Sequence, residues 1–136
     1  SLARAARWNQ VEGYVHKAND EICLIVQAET CEALNNLDEI LAVEGVHGVF
    51  IGPSDLAASM GKIGQGADPE LLDACVDAIC KIKSAGKIAG ILTLSEPLIQ
   101  RCVEAKADFI GVAVDTLLIG QAMRDAAAKR KATAST

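Results

Sequence analysis

Ile22-Cys23-Leu24-Ile25-Val26, followed by Gln27-Ala28-Glu29-Thr30, sets how the rest of the chain is read. The first five residues form an unbroken apolar run of strand length without period-2 alternation, as expected of a parallel strand covered on both faces. Thr30 then suits a helix N-cap, and Ala33, Leu34, Leu37, Ile40 and Leu41 recur at helical spacing, which predicts an amphipathic helix. The stretch is one strand–helix unit.

The same unit recurs three times. A strand over residues 48–51 leads to a helix from Asp55, a strand over 88–92 to a helix near Pro97, and a strand over 109–114 to a C-terminal helix. A further helix is predicted over 69–84, where Leu71, Leu72, Cys75, Val76, Ile79 and Ile82 share a face. Asp68-Pro69 marks its start and Gly86 its end. Four βα units in this order imply a parallel sheet with right-handed crossovers. Periodicity leaves two closures open: a doubly wound sheet, or half of an eight-stranded barrel of about 250 residues.

Composition bounds the function. The chain has 136 residues, 51% of them hydrophobic and 3% aromatic, enough for one compact aliphatic core or part of one. Thirteen basic against 18 acidic residues give a net charge of -5, without a basic stripe, so nucleic acid is not an expected partner. The longest membrane candidate, residues 109–120, is too short and carries Asp115, and no signal peptide opens the chain, so no membrane partner is expected. Cys23, Cys31, Cys75, Cys80 and Cys102 form no C-x-x-C pair and read as small buried hydrophobes in a reducing cytoplasm. Residues 1–21, with Arg4, Arg7, Trp8 and Tyr14, read as a lead-in segment, residues 22–128 as the four units, and 129–136 as a small polar tail expected to fray.

In parallel α/β folds reactive groups collect at the carboxyl ends of strands. Gln27 and Glu29 close the first strand, and Asp55 follows Gly52-Pro53-Ser54 after the second. Neighbouring strands lie about 4.8 Å apart, so carboxylates at two adjacent ends can converge on one hard cation. The amides of Ser54 and Asp55 would face outward at a helix start, where an anion is favoured. A cation beside carboxylate-binding amides suits a 2-oxo acid. Plainer readings exist as well: Asp55 as an N-cap or first-turn acid, Glu29 as a first-turn carboxylate, Asp115 as a helix cap, and His16 and His47 as surface residues.

Val26-Gln27-Ala28-Glu29-Thr30, Leu37-Asp38-Glu39-Ile40 and Gly45 through Leu56, with its Gly-Pro-Ser-Asp-Leu segment, together resemble the HpcH/HpaI aldolases, the class II pyruvate aldolases. Ala85-Gly86-Lys87, Ala89-Gly90-Ile91-Leu92 and residues 109–116 resemble later strands of that family in the same order. The resemblance selects the barrel closure and implies that this chain is the C-terminal half, about four βα units, of a (β/α)8 TIM barrel. It implies Glu29 and Asp55 as ligands of a divalent metal, Mg²⁺, Mn²⁺ or Co²⁺. It likewise implies Gln27 and the Ser54 and Asp55 amides as the pyruvate site, and Leu92 as a border of the acceptor-aldehyde pocket.

The activity so implied is a lyase reaction of the kind used in aromatic catabolism, the reversible cleavage of 4-hydroxy-2-oxo acids to pyruvate and an aldehyde. A His that assists proton transfer and an Arg that steadies the pyruvate oxygen belong to the family's first four strands, which precede the part matched here. On that reading the chain starts mid-domain and is inactive alone. The family's hexamers make a homo-oligomer, or a chain carrying the other half, the expected partner. Two alternatives stand beside it: a non-catalytic assembly half, and a phosphate- or nucleotide-binding α/β module. The second lacks any G-x-G-x-x-G or G-x-x-x-x-G-K-[ST] motif.

Overall fold

A computed structural model describes residues 3–134 and builds them into successive strand–helix units. After a 3-10 turn at Arg4–Ala6 and helix α1 (Tyr14–Glu21), strand β1 (Ile25–Ala28) leads to α2 (Cys31–Asn35) and α3 (Leu37–Ala42). Strand β2 (Gly48–Ile51) leads to α4 (Pro53–Ser59) and α5 (Pro69–Ser84), β3 (Ile88–Leu92) to α6 (Glu96–Glu104), and β4 (Phe109–Gly111) to α7 (Asp115–Ala134). The strands pair in parallel in the order β1-β2-β3-β4. A doubly wound sheet reverses its strand order and carries helices on both faces. This sheet does neither, and is an arc of a barrel.

Alternation along the strands gives the sheet two unlike faces. Val49, Ile51, Ala89, Ile91 and Ala28 are fully buried on the helix side. There α5 packs on β2 and β3 with Leu71, Cys75, Ala78, Ile79 and Ile82. Each fully buried Leu or Ile contributes roughly 1.5–3 kcal/mol. The other face carries the row Gln27, Phe50, Gly90 and Phe109, which are direct partners across all four strands. Phe50 and Phe109 stack with centroids 5.6 Å apart. They meet because Gly90 has no Cβ; one built there would lie 2.1 Å from Phe109 Cζ. None of the described helices covers this row.

The amino edge of the sheet is fastened by polar bonds. His47 Nδ1 accepts from Leu24 N at 3.0 Å, and Lys87 Nζ donates to Val46 O at 2.6 Å. Asp108 accepts from Lys83 Nζ at 2.6 Å and from Ala89 N at 2.7 Å. The Lys83 ammonium, with help from the Ala89 amide, holds the Asp108 carboxyl below its ordinary range.

Several boundaries differ from expectation. Residues 22–24 precede β1 and are exposed, because β2 offers ladder partners only from Gly48, opposite Ile25. Residues 112–114 leave β4 for the same reason, since β3 ends at Leu92 opposite Gly111. The helix after Thr30 breaks at Asn36 into α2 and α3. The helix expected from Asp55 begins two residues earlier, at Pro53. Helix α7 runs to Ala134, and Ser135 and Thr136 lie outside the described residues. Cys75 and Cys102 are buried, and burial pushes the Cys75 thiol up to about 12, so it stays protonated. Cys23 and Cys80 are exposed and Cys31 is half-buried, against the expectation of five buried thiols.

No helix of the described residues is long and apolar enough to cross a membrane.

Candidate functional site

Glu29 is the first residue after β1 and directly precedes Thr30, whose Oγ1 accepts from Ala33 N at 3.0 Å to cap α2. Cys31 N donates to Ser59 Oγ at 3.0 Å, which ties the start of α2 to the end of α4. These two bonds fix the backbone around Glu29. Two residues earlier, Gln27 points to the same face of the sheet, and its Nε2 donates to Glu29 Oε2 at 2.5 Å.

On the adjoining strand end Gly52 receives this pair. A Cβ at Gly52 would lie 2.8 Å from Glu29 Oε2, 2.9 Å from Glu29 Cβ and 3.1 Å from Gln27 Nε2. Only a residue without a side chain leaves Glu29 its place. Gly52 is also the N-cap of α4 and therefore gives no side-chain cap bond, and Pro53 at N1 has no N–H to satisfy. The amides of Ser54 and Asp55 follow in the first turn, where backbone donors lack helical partners. Asp55 is thus a first-turn acid and not the N-cap. Glu29 lies outside α2 altogether, so the first-turn reading of its carboxylate does not hold.

Beside this corner opens a cleft of about 580 Å³, lined by Pro53, Ser54 and Leu92 together with residues of the β3–α6 loop and the start of α7. Leu92 ends β3 and is 40% exposed toward that open side. Thr93 was not singled out from the sequence. It is the one buried polar side chain among the described residues, 7% exposed, and its Oγ1 accepts from Ser95 N at 3.1 Å. The strand-end logic that selected Gln27 and Glu29 applies to Thr93 equally, since it follows β3 directly.

The loop between α4 and α5 closes the far side through Gly66 and Ala67. Lys62 anchors that loop, with Nζ donating to Asp68 Oδ1 at 2.6 Å and to Glu70 Oε2 at 2.5 Å. The Lys62 ammonium lowers the Asp68 carboxyl below its ordinary value, and the carboxylates raise Lys62 in return. Asp68 also caps α5 through the amides of Glu70 and Leu71.

The remaining titratable groups stand elsewhere. His47 is engaged at the opposite edge, and His16 borders a separate hollow formed by lead-in residues alone. Asp115 opens α7 and accepts from Thr116 N at 2.7 Å. Lys81 pairs with Asp38 at 2.8 Å, while Lys83 and Lys87 fasten the amino edge. No cluster of three or more His, Cys, Asp or Glu side chains placed to hold a metal occurs among the described residues. The carboxylates of Glu29 and Asp55 are hard oxygen donors of the kind Mg²⁺ and Mn²⁺ take.

Three comparisons bear on what such a corner does. A profile of the HpcH/HpaI aldolase/citrate lyase family matches residues 3–122. A 4-hydroxy-2-oxo-heptane-1,7-dioate aldolase of Klebsiella pneumoniae is 50% identical over 136 residues, all of this chain and 51% of that protein. A hydroxypyruvate/pyruvate aldolase of Pseudomonas aeruginosa is 50% identical over 131 residues, 96% of this chain and 49% of its own length. Among solved structures, an HpcH/HpaI aldolase/citrate lyase family protein from Burkholderia cenocepacia superposes with a TM-score of 0.83 at 30% identity. That alignment covers 96% of this chain and 51% of the other. The chain spans about half the length of the curated relatives it matches.

Proposed function

The chain belongs to the HpcH/HpaI aldolase/citrate lyase family, and on that premise we propose that the protein containing it is a divalent-metal-dependent carbon–carbon lyase acting on 4-hydroxy-2-oxo acids. Cleavage gives pyruvate and an aldehyde, reversibly. The observation that carries the reading is the corner where Gln27 and Glu29 pack on Gly52 beside the open first turn of α4.

Glu29 and Asp55 are the residues that would hold the metal. When bound, a divalent cation supplies Lewis-acid polarisation of the substrate keto group. Gln27 spends one amide N–H on Glu29 and carries a second that can donate to a substrate oxygen. The Ser54 and Asp55 amides receive the substrate carboxylate, an anion at a helix start. Leu92 borders the aldehyde as it leaves. In cleavage the 4-hydroxyl loses its proton, the bond between C3 and C4 breaks, and its electron pair becomes the pyruvate enolate, which takes up a proton at carbon.

His47 is engaged at the far edge, so we assign removal of the hydroxyl proton to a residue outside this chain. No Schiff base is invoked, because Lys62 is paired with Asp68 and Glu70, and Lys81, Lys83 and Lys87 are engaged away from the carboxyl edge. The open face around Phe50 and Phe109 favours assembly, either with the remaining half of a barrel or with further copies. Five free thiols fit a reducing cytoplasm.

The test is Mn²⁺ titration calorimetry on the full-length protein, with pyruvate release assayed in parallel. Glu29→Gln and Asp55→Asn should each weaken binding at least about tenfold. Affinity unchanged in both variants would return these carboxylates to structural roles.

A further inference from the structure

Two segments carry the candidate metal ligands, and a hydrogen bond joins them on either side of those ligands. Glu29 stands in the connection from β1 to α2, and Asp55 in the first turn of α4. At the strand ends Gly52 N donates to Ala28 O at 3.2 Å, just before Glu29 in one segment and Asp55 in the other. Beyond both ligands Cys31 N donates to Ser59 Oγ at 3.0 Å. The two carboxylates thus lie within one ring of chain that these bonds close.

The closures differ in kind. The first is main chain on both sides and continues the β1–β2 ladder, so no side chain decides it. The second depends on the hydroxyl of the last residue of α4. That helix is a short rod, with Leu56 N donating to Gly52 O at 3.0 Å and Met60 N to Leu56 O at 2.9 Å. Its Leu56 and Ala57 are buried against the core, but apolar packing is non-directional and leaves the tilt of the rod unset. The bond at Ser59 sets it, and with it the place of Asp55 relative to Glu29.

Ser59 is exposed, so water can satisfy the Cys31 amide almost as well when the hydroxyl is removed. Water cannot replace it geometrically, because a solvent molecule is not fastened to α4. The hydroxyl therefore matters for where the carboxylates stand more than for how stable the fold is.

We propose that Ser59 is a positioning residue of the metal centre, holding the first turn of α4 in register with Glu29 so that both carboxylates reach one cation. The proposal rests on the metal-dependent lyase reading above. Groups that orient metal ligands commonly change affinity by about ten- to a hundredfold, and Ser59, which acts through the backbone, belongs at the lower end. Coupling is reciprocal. If the closed bond favours the cation about tenfold, the bound cation favours the closed bond by the same factor.

The experiment uses the full-length protein and Mn²⁺, with titration calorimetry, melting of the metal-free form, and hydrogen exchange at the Cys31 amide. Ser59→Ala should lower Mn²⁺ affinity about tenfold and move the metal-free Tm by no more than about 3 degrees. Ser59→Thr keeps the hydroxyl and should return the affinity to within about twofold of the parent. Saturating Mn²⁺ should slow exchange at the Cys31 amide about tenfold in the parent protein and leave it unchanged in Ser59→Ala. If Ser59→Ala binds within about twofold of the parent while Glu29→Gln and Asp55→Asn bind weakly, the positioning role is overturned and the metal reading stands. An equal loss in Ser59→Thr, a larger fall in the metal-free Tm, or exchange at Cys31 indifferent to Mn²⁺ in the parent also overturns it. Affinity unchanged in both carboxylate variants sinks the metal reading and the role of Ser59 with it.

Discussion

Gly52→Ala tests the candidate site without replacing any proposed ligand. Gly52 has φ -104 and ψ 88, a backbone conformation alanine also adopts, so the substitution introduces no backbone strain. Its added methyl restricts the unfolded chain and contributes about 0.4–1 kcal/mol of stability. Against this stands crowding. The new Cβ would sit 2.8 Å from Glu29 Oε2 and 2.9 Å from Glu29 Cβ, where ordinary contact begins at 3.4 Å, so Glu29 must retreat by about 0.6 Å. Overpacking of this kind costs about 1–3 kcal/mol, and the net loss of stability is on the order of 1 kcal/mol. A displacement of about 0.5 Å already exceeds the tolerance of a preorganised ligand set. Mn²⁺ affinity should therefore fall at least about tenfold, while thermal denaturation shows a shift of only a few degrees. Calorimetry and a melting curve on the same preparation measure both. An affinity within twofold of the parent would refute the role given to Gly52 and, with it, the placement of the metal on Glu29.

Three further outcomes follow from other parts of the molecule. Asp108 has a folded-state pKa below its ordinary 3.8, so the folded protein binds fewer protons there than the unfolded chain; its stabilisation is present above 3.8 and lost as pH falls through the lowered folded value. The difference in Tm between the protein and Asp108→Asn should accordingly be constant above about pH 5 and shrink in stronger acid, and a pH-independent difference would contradict the assignment. Thr30→Ala removes the Oγ1 cap on Ala33 N and should cost about 1 kcal/mol in chemical denaturation; no loss would mean that water replaces the cap without penalty. Residues 1–136 purified alone should self-associate in analytical ultracentrifugation and release no pyruvate from a 4-hydroxy-2-oxo acid until a polypeptide with the remaining strands is added. Full activity without that addition would force a search for the base among His16, His47 or a neighbouring copy.

Local chemistry made much of this legible in the sequence. β2, β3 and α5 have the bounds their patterns imply, because a short apolar run before a cap, and Asp68-Pro69 with Gly86, are signals that each residue carries by itself. The start of α4 was legible too, since Pro53 at N1 obeys the rule that placed Pro69, yet Asp55 drew attention as an acid. The ends of β1 and β4 were not legible, because residues 22–24 and 112–114 are as apolar as the strands they adjoin and only ladder partners decide. At the site, strand-end position singled out Gln27, Glu29 and Asp55, but the packing of Glu29 on Gly52 depends on two strands and has no sequence signature. Thr93 was overlooked for a similar reason: its hydroxyl acquires meaning only from the bend back to Ser95.

The fastenings at the amino edge, Lys87 to Val46, Asp108 to Ala89 and His47 to Leu24, have an evolutionary consequence. A five-residue strand such as β3 sets them about 16 Å from the residues that would choose a substrate. Free-energy effects of changes that far apart add with little coupling. On the function proposed above, new acceptor preferences can therefore be sampled at Leu92 without drawing on the same stability margin, and stabilising changes can accumulate at the other edge without altering the cleft. Laboratory selection for a different aldehyde should find its successful substitutions on the carboxyl edge, with compensating ones, where needed, on the amino edge.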